Sequence, residues 1–199
     1  MNKPQTFIFF GTVGSGKGTQ AELLKKYLLE NKISEDVANT STGVEYRKLI
    51  DSNNYTGTLV KTAVEKGYLQ PDFLTISLFT NILVSLMKEN TYLIADGFPR
   101  TIAQSEAFEK AMKFYNRESI HIIYIDIDKE EATRRMMLRG RADDTEEGIA
   151  KRFDEYTNNV VPSMNYFKGK EGYTLHTIDG KQSKEKVEED IIKSLAFQS

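Results

Sequence analysis

The chain has 199 residues, of which 39% are hydrophobic and 11% aromatic, and this favours one domain with a packed core and small inserted lobes. Its 27 Lys and Arg residues nearly balance 29 Asp and Glu residues, so a broad basic surface for nucleic acids or membranes is not expected. Cysteine is absent, which excludes disulfides, thiolate nucleophiles and thiolate zinc sites.

Five short runs of apolar, β-branched or aromatic residues are typical of buried strands. They are Thr6–Phe10, Val37–Ser41, Tyr92–Asp96, His121–Ile127 and Tyr173–Ile178. Helical periodicity lies between them, for example in the predicted buried face of Ile76, Phe79, Leu83 and Leu86. The alternation predicts a doubly wound α/β fold with a five-stranded parallel sheet covered on both faces. Functional residues are then expected directly after the strands, at their carboxyl ends.

The only two histidines, His121 and His176, lie within predicted strands. Apolar neighbours surround both of them, and two histidines supply few ligands for a metal site. We therefore expect packed structural histidines rather than catalytic or metal-binding ones.

A glycine-rich segment, GTVGSGKGTQ at residues 11–20, follows the first predicted strand. Glycines at this density let backbone N–H groups turn towards phosphate oxygens. A helix predicted from about Lys17 to Leu28 presents its positive dipole end to the same anion. Lys17 adds a full charge for the β- and γ-phosphates of ATP, and the hydroxyl of Thr19 can help to hold Mg²⁺. The predicted ATP-binding residues of this segment are Gly14, Ser15, Gly16, Lys17, Gly18 and Thr19.

The strict phosphate-loop pattern has Ser or Thr directly after the lysine, whereas this chain has Gly18 there and its hydroxyl at Thr19. The G-K-G-T-Q ending resembles the nucleoside monophosphate kinases. Together with four later blocks in the same order, it makes nearly the whole chain similar to adenylate kinase. The resemblance implies transfer of the γ-phosphoryl group of Mg-ATP to AMP, which gives two ADP. A dinucleotide-binding G-x-G-x-x-G and a guanine-reading N-K-x-D are absent, which argues against dehydrogenases and GTPases.

The second block, STGVEYR at residues 41–47, follows the second predicted strand. The resemblance implies that Thr42 contacts the adenine side of AMP and that Arg47 binds its phosphate. Thr42 and Glu45 also have the spacing of a capping box at a helix start, and the two roles are compatible.

The third block, GYLQ at residues 67–70, resembles the stretch whose backbone borders the AMP base. Its expected contacts are Tyr68, Leu69 and Gln70. By the same resemblance, residues 41–70 form a small mobile lobe that closes over AMP, inserted in a single kinase domain that covers residues 1–199.

The fourth block, DGFPR at residues 96–100, ends the third predicted strand. Asp96 can orient water on Mg²⁺ as the second acid of phosphate-loop enzymes does, and Arg100 offers a planar fork to the AMP phosphate. Gln104 is implied to hydrogen-bond adenine, although Thr101 and Gln104 also have the spacing of a capping box. The expected AMP-binding residues here are Gly97, Phe98, Pro99, Arg100 and Gln104.

An arginine-rich helix is predicted to start at Asp128 and to end at Gly140. Arg135 and Arg139 are four residues apart and share one helix face. The resemblance implies that these two serve ATP, that Arg141 and Arg152 hold AMP and the transferring phosphoryl group, and that Asp143 and Asp144 orient the arginines. Phosphoryl transfer depends mostly on positioning and charge neutralisation. The predicted catalytic residues are therefore Lys17, Arg100, Arg139, Arg141, Arg152, Asp143 and Asp144.

The last features concern the lid and the ATP base. Only Gly140 separates Arg139 from Arg141, so residues 138–146 resemble a short lid. Longer family members insert a zinc-bearing or hydrogen-bonded flap there, and no structural zinc is expected in this chain. The final block, IDGKQ at residues 178–182, resembles the loop against the ATP adenine, with Gly180 and the backbone of Gln182 as contacts.

Three positions depart from the pattern of the family. Val13 replaces a usual proline, Val44 a usual aspartate and Tyr68 a common lysine. None of the three changes affects Lys17, the arginines or the aspartates, so we expect affinity rather than activity to be altered.

Two alternatives to an adenylate kinase are a UMP/CMP kinase and a module that only senses ATP. A UMP/CMP kinase of the same fold is disfavoured because such enzymes usually carry Ala and Asn at the positions of Thr42 and Gln104. A sensing module that binds ATP without catalysis is a poor fit to the intact arginine set.

The sequence also predicts the cellular location and the binding partners of the protein. Segment 1–5 lacks a charged lead followed by an apolar signal core, and the apolar-rich stretch at residues 76–87 is too short to span a bilayer. We expect a cytoplasmic monomer whose partners are ATP, AMP and ADP, with no nucleic-acid or membrane partner.

Overall fold

A computed structural model describes residues 3–141 and 144–197 of the chain. Its strands are β1 (Thr6–Phe10), β2 (Val37–Ser41), β3 (Tyr92–Asp96), β4 (Ile120–Asp126) and β5 (Tyr173–Asp179). Its helices are α1 (Lys17–Glu30), α2 (Thr42–Asp51), α3 (Tyr55–Glu65), α4 (Asp72–Leu86), α5 (Ile102–Phe114), α6 (Lys129–Arg139), α7 (Glu146–Glu155), α8 (Val161–Asn165) and α9 (Lys184–Leu195). A π-helical turn, Tyr156–Val160, joins α7 to α8.

The bounds of the first three strands confirm the prediction residue for residue. β4 begins and ends one residue earlier than predicted, and β5 extends one residue further. Helix α1 continues two residues beyond Leu28, to Glu30.

The five strands form one parallel sheet in the order β2-β3-β1-β4-β5, which confirms the predicted doubly wound α/β fold. Along the chain, β2 and β3 are added on one side of β1, and β4 and β5 then follow on its other side. The carboxyl end of β1 is therefore the topological switch point, where ligands bind in folds of this kind.

Alternate residues of β1 supply the two layers of the core, as the period of a strand requires. Phe7 and Phe9 pack in the layer of α1 and α9. Ile8 and Phe10 pack in the opposite layer, which includes residues of α4 and α5. All five residues of β1 are buried, so the sheet holds the end of β1 rigidly beneath the loop that follows it.

The predicted buried face of α4 is correct at Phe79 and Leu83 but wrong at Leu86, which is 43% exposed. Leu86 is the last residue of the helix, and Met87 has extended backbone angles. Because the chain leaves the helix at this point, Met87 packs against the core instead.

The two histidines are packed within strands, as predicted, and they contact each other across β4 and β5. His121 Nδ1 lies 3.0 Å from His176 Nε2, and His121 Nε2 lies 3.1 Å from Ser119 Oγ. The ring of His121 stacks on Phe7 at 5.5 Å between centroids. Burial lowers the pKa of His121 to about 4, and the neighbouring His176 acts in the same direction.

Candidate functional site

The loop between β1 and α1 is built on backbone conformations that favour glycine. Gly11, Gly14 and Gly16 have φ values of 142°, 87° and 92°. A Cβ atom on Gly14 would lie 2.7 Å from the carbonyl oxygen of Ala132, so the loop also passes too close to α6 for a side chain there. These conformations leave the loop curled around a small space at the end of β1.

The Lys17 ammonium group occupies that space. It donates hydrogen bonds to the Thr12 carbonyl oxygen at 2.7 Å and to Ser15 Oγ at 3.2 Å. Burial lowers the pKa of Lys17 to about 8, while Asp96 opposes the shift and Arg100 and Arg139 add to it. The group therefore remains mainly cationic at neutral pH, in the place where an anion would be bound.

A side chain at position 18, where the strict phosphate-loop pattern has Ser or Thr, would crowd the end of β3. A Cβ atom on Gly18 would lie 3.3 Å from Asp96 Oδ2, which is tighter than ordinary van der Waals contact. Ser41 Oγ donates to the same carboxylate oxygen at 3.4 Å. The glycine thus lets the Asp96 carboxylate approach the first turn of α1.

The oxygen atoms around this turn suit a magnesium ion. Asp96 supplies a carboxylate, and Thr19, which is exposed, supplies a hydroxyl on the first turn of α1. Within residues 3–141 and 144–197, no cluster of three or more His, Cys, Asp or Glu side chains could hold a metal ion. Mg²⁺ commonly binds through one or two carboxylates, waters and substrate phosphates, and this donor set fits that mode.

A cavity of about 210 Å³ opens beside the phosphate loop, at the carboxyl ends of β1, β2 and β3. Thirteen of the residues expected from the sequence line it: Lys17, Thr42, Arg47, Tyr68, Leu69, Gln70, Gly97, Pro99, Arg100, Gln104, Arg139, Arg141 and Arg152. Most of the residues expected on the ATP side lie outside its lining: Gly14, Ser15, Gly16, Gly18, Thr19, Arg135, Gly180 and Gln182. The cavity therefore corresponds to the predicted AMP side, with Lys17 and Arg139 at its boundary with the phosphate loop.

Thr42 joins α2 to the end of β3. Its Oγ1 donates to the Gly97 carbonyl oxygen at 2.9 Å, and it is 1% exposed. The predicted capping box of Thr42 and Glu45 is wrong, because Ser41 is the N-cap of α2 and no side chain caps it. Glu45 instead accepts a hydrogen bond from Lys48 at 2.8 Å.

Gln104 is held in place by both ends of its side-chain amide. Its Oε1 accepts from the Arg100 backbone N–H at 2.9 Å, and its Nε2 donates to Asp72 Oδ1 at 2.8 Å. The predicted capping box is half formed: Thr101 Oγ1 accepts from the Gln104 N–H, but the Gln104 side chain does not return to Thr101. Gln104 is 1% exposed and borders the cavity.

Arg100 is oriented by the loop in which it lies. Its Nε donates to the Gly97 carbonyl oxygen at 2.9 Å, and a Cβ atom on Gly97 would lie 3.1 Å from its Nη2. Phe98, in contrast, is buried in the core and stacks on Phe79 at 4.1 Å between centroids. Its side chain therefore faces away from the cavity, and only its backbone could border a ligand.

Asp144 connects two of the predicted catalytic arginines. It accepts from Arg139 Nη2 at 2.7 Å and Nε at 3.0 Å, and from Arg152 Nη1 at 2.8 Å. Burial opposes ionisation of Asp144, but the hydrogen bonds from Arg139 and Arg152 outweigh it and lower its pKa. The backbone N–H of Arg141, three residues earlier, also donates to this carboxylate at 3.2 Å. Asp143 lies outside the described residues.

Arg135 points to the other end of the site, towards the loop after β5. Its Nη2 donates to the Gly180 carbonyl oxygen at 2.8 Å and its Nε to Glu131 Oε1 at 2.7 Å. A Cβ atom on Gly180 would lie 2.6 Å from methyl groups of Ile125 and Ile127. Gln182 Nε2 donates to the Asp179 carbonyl oxygen at 3.1 Å. Arg135 and Gly180, both predicted to serve ATP, are thus adjacent.

Several residues that line the cavity were not predicted from the sequence. They are Val13, Tyr46, Ile50, Val64, Thr75, Glu155, Tyr156 and Val160, together with Phe9, Phe10, Gly11, Gly43 and Gly67. Tyr46 follows Thr42 by four residues, so its place on the same helix face could have been found. Its hydroxyl is hydrogen-bonded to Thr75 Oγ1, on a helix that no local motif connects to α2. Tyr156 and Val160 belong to the π-helical turn, which hydrophobic periodicity does not predict.

Comparison with known proteins identifies relatives along most of the chain. The family model described as adenylate kinase matches residues 9–172. A relative named adenylate kinase from Prochlorococcus marinus (strain MIT 9301) is 33% identical over 189 residues, which are 95% of this chain and 97% of the relative. Another with that name from Bacteroides fragilis is 35% identical over 193 residues, 94% of this chain and 96% of the relative. A third from Leptospira biflexa is 32% identical over 193 residues, with 94% and 98% covered.

Proposed function

The chain belongs to the adenylate kinase family, and we propose on this premise how its own residues perform the reaction. It is an ATP:AMP phosphotransferase, which transfers the γ-phosphoryl group of ATP to AMP and gives two ADP. The observation that carries the assignment of residues is the convergence of Lys17, Arg139 and Arg152 on one cavity beside the phosphate loop. Phosphoryl transfer requires such a concentration of fixed positive charge, because charge is spread over the oxygens of the transferring group.

AMP is proposed to occupy the cavity of about 210 Å³. Thr42 and Gln104 would lie at its base, and Arg47 and Arg100 at its phosphate. The backbone at residues 68–70 would border the base. Residues 41–70 would act as a lobe that closes over AMP, which the tight pairing of α2 with α3 supports: a Cβ atom on Gly57 would lie 2.1 Å from the Leu49 carbonyl oxygen. Two helices packed this closely can move as one unit.

ATP is proposed to bind along the phosphate loop with its base near Gly180 and Gln182. The backbone N–H groups at residues 14–19 would hold the β-phosphate, and Lys17 would neutralise charge on the β- and γ-phosphates. Arg135, fixed on the Gly180 carbonyl oxygen, would contact the adenosine side. This arrangement would bring the γ-phosphate to the boundary between the loop and the cavity.

Transfer itself is proposed to depend on arginines rather than on a protein nucleophile. An oxygen of the AMP phosphate attacks the γ-phosphorus, the bond to the bridging oxygen breaks, and ADP leaves with the electron pair. Arg139, Arg141 and Arg152 would stabilise the charge of the transferring group. Asp144 would keep Arg139 and Arg152 in position, and residues 138–146 would serve as the short lid.

The proposed metal is Mg²⁺, held through water by Asp96 and Thr19 together with the phosphates. When bound, the ion would supply positive charge that neutralises the phosphate groups. The contact of Asp96 with the first turn of α1 supports this location. Free nucleotides would be the partners, and we propose a cytoplasmic monomer in keeping with the family. Among the helices of the described ranges, none combines the length and apolar character that a membrane span needs.

A coupled assay of ADP formation with Mg-ATP and a panel of monophosphates tests the acceptor. Polar groups left unpaired by the wrong substrate are expected to give AMP an advantage in kcat/KM over UMP and CMP of at least ~10²-fold. Equal turnover of UMP or CMP would favour a pyrimidine nucleotide kinase. ATP binding without any ADP formation would favour a sensing module.

A further inference from the structure

Asp72, the first residue of α4, has no role in the proposed reaction so far, yet it contacts a residue at the centre of the AMP site. Its Oδ1 accepts from Gln104 Nε2 at 2.8 Å and from Thr101 Oγ1 at 2.8 Å. The opposite end of the Gln104 amide, Oε1, accepts from the Arg100 backbone N–H at 2.9 Å. Gln104 is thus clamped between a carboxylate and a backbone N–H, and it is almost fully buried.

These two partners fix which way round the amide lies. A carboxylate only accepts hydrogen bonds and a backbone N–H only donates them. A flipped amide would set Oε1 against the Asp72 carboxylate and the NH₂ group against the Arg100 N–H. Both contacts would then be repulsive, and burial would leave no water to relieve them. The orientation is therefore imposed by the chemistry of the neighbours.

The fixed amide has hydrogen-bonding capacity left over for a ligand. Oε1 retains one lone pair, and Nε2 retains one N–H. An acceptor beside a donor complements adenine, whose 6-amino group donates and whose N1 accepts. Hypoxanthine presents the opposite pair, a 6-oxo acceptor and an N1–H donor, and would match only the flipped amide.

We propose that Asp72 is a specificity-determining positioning residue, which holds the Gln104 amide in the orientation that selects 6-amino over 6-oxo purines. The proposal rests on the proposed contact between Gln104 and the AMP base. A purely structural role is the competing explanation, since Asp72 also ties the start of α4 to the start of α5 through Thr101. That role would affect stability and both substrates equally, without changing the choice of base.

The test compares kcat/KM for AMP and for inosine monophosphate in the wild type and four variants. Asp72→Ala removes the acceptor, and Asp72→Leu removes it while filling the space, in case the alanine variant does not fold. Asp72→Asn keeps an Oδ1 that can accept both hydrogen bonds. Asp36→Ala is the matched control, because Asp36 accepts from Thr91 Oγ1 at 2.9 Å and pairs with Lys88 at 3.2 Å. It lies next to the amino end of β2, whereas the cavity lies at the carboxyl ends of the strands.

We expect the wild type to prefer AMP by at least ~10²-fold, because a site built for one hydrogen-bond pattern rejects its inverse. Asp72→Ala and Asp72→Leu should reduce that preference about tenfold, the scale of one lost hydrogen bond. Asp72→Asn and Asp36→Ala should retain it. An unchanged preference in a folded Asp72→Ala or Asp72→Leu protein would overturn the role of Asp72 alone. A wild type that does not use AMP would instead overturn the proposed function.

Discussion

The ammonium group of Lys151 lies 4.6 Å from the centroid of the Tyr68 ring, a cation–π contact between α7 and the segment after α3. The same two segments also pack closely at Gly67, the residue before Tyr68. A Cβ atom there would lie 2.5 Å from the Gly148 carbonyl oxygen. The sequence resemblance places Tyr68 at a position where lysine is common. A lysine there would face Lys151, so the aromatic ring suits the charge that this chain carries on α7.

Replacing Tyr68 with lysine should weaken the junction between these segments. A cation–π contact at an exposed site is worth roughly 0.5–1 kcal/mol, and like charges would add repulsion. We therefore expect Tyr68→Lys to raise KM for AMP several-fold, which is the change that a loss of this energy produces. The value of kcat should remain nearly unchanged. Steady-state kinetics measure this, with Tyr68→Phe as the control that keeps the ring. If Lys151→Glu does not rescue Tyr68→Lys, charge at this contact does not matter.

Lys17 should be required for catalysis rather than for folding. Its ammonium group lies inside the phosphate loop on Thr12 and Ser15, where it would neutralise charge that develops on the β- and γ-phosphates. Lys17→Met should lower kcat by about 10²-fold or more. Circular dichroism should show a native fold, since a buried charge is replaced by an apolar side chain of similar length. Normal kcat with weaker ATP binding would contradict the catalytic role.

The arginines should divide into two kinetic classes. Arg47 and Arg100 are proposed to bind the ground-state AMP phosphate, so Arg47→Ala should raise KM for AMP more than KM for ATP. Arg141 and Arg152 are proposed to act on the transferring group, and Arg152→Ala should lower kcat by roughly 10²–10⁵-fold. Lysine should substitute poorly for Arg152, because a point charge cannot reproduce its planar fork. The same defect, confined to KM, in both alanine variants would show that the division is wrong.

The pair of His121 and His176 should make stability depend on pH. Burial lowers the pKa of His121 from 6.5 to about 4, so between these values the unfolded chain binds more protons than the folded one. The stability that the folded protein gains while His121 is neutral is therefore complete above pH 6.5, and it is lost as the pH falls towards 4. The resulting change in the free energy of unfolding is at most about 3 kcal/mol, and partial exposure of the ring makes it smaller.

Urea unfolding at pH 7.5 and at pH 5 measures that change. The decrease in the free energy of unfolding should be smaller in His121→Gln than in the wild type, because the variant has no group that titrates at this position. His121→Gln with the full pH dependence of the wild type would assign the effect to other groups.

Sequence pattern and resemblance were sufficient for the strands, the glycine-rich loop and half of the residues that line the cavity. Runs of mostly apolar residues predicted β1 and β3 at their observed bounds, because a strand covered on both faces buries nearly all of its side chains. The bounds of β2, whose sequence is VANTS, were also correct although only its first two residues are apolar. The topology rule predicted that the candidate site residues meet at the carboxyl ends of the strands, where Lys17, Thr42 and Arg100 line the same cavity.

Hydrogen bonds between segments distant in the chain depended on the fold. The hydroxyl of Thr42 bonds the carbonyl group of Gly97, 55 residues away, rather than capping its own helix. The amide of Gln104 bonds Asp72, 32 residues away, and the ring of Phe98 enters the core. A polar side chain bonds whichever partner burial leaves within reach. Packing of the sheet and helices selects that partner, so the spacing of residues along the chain does not reveal it.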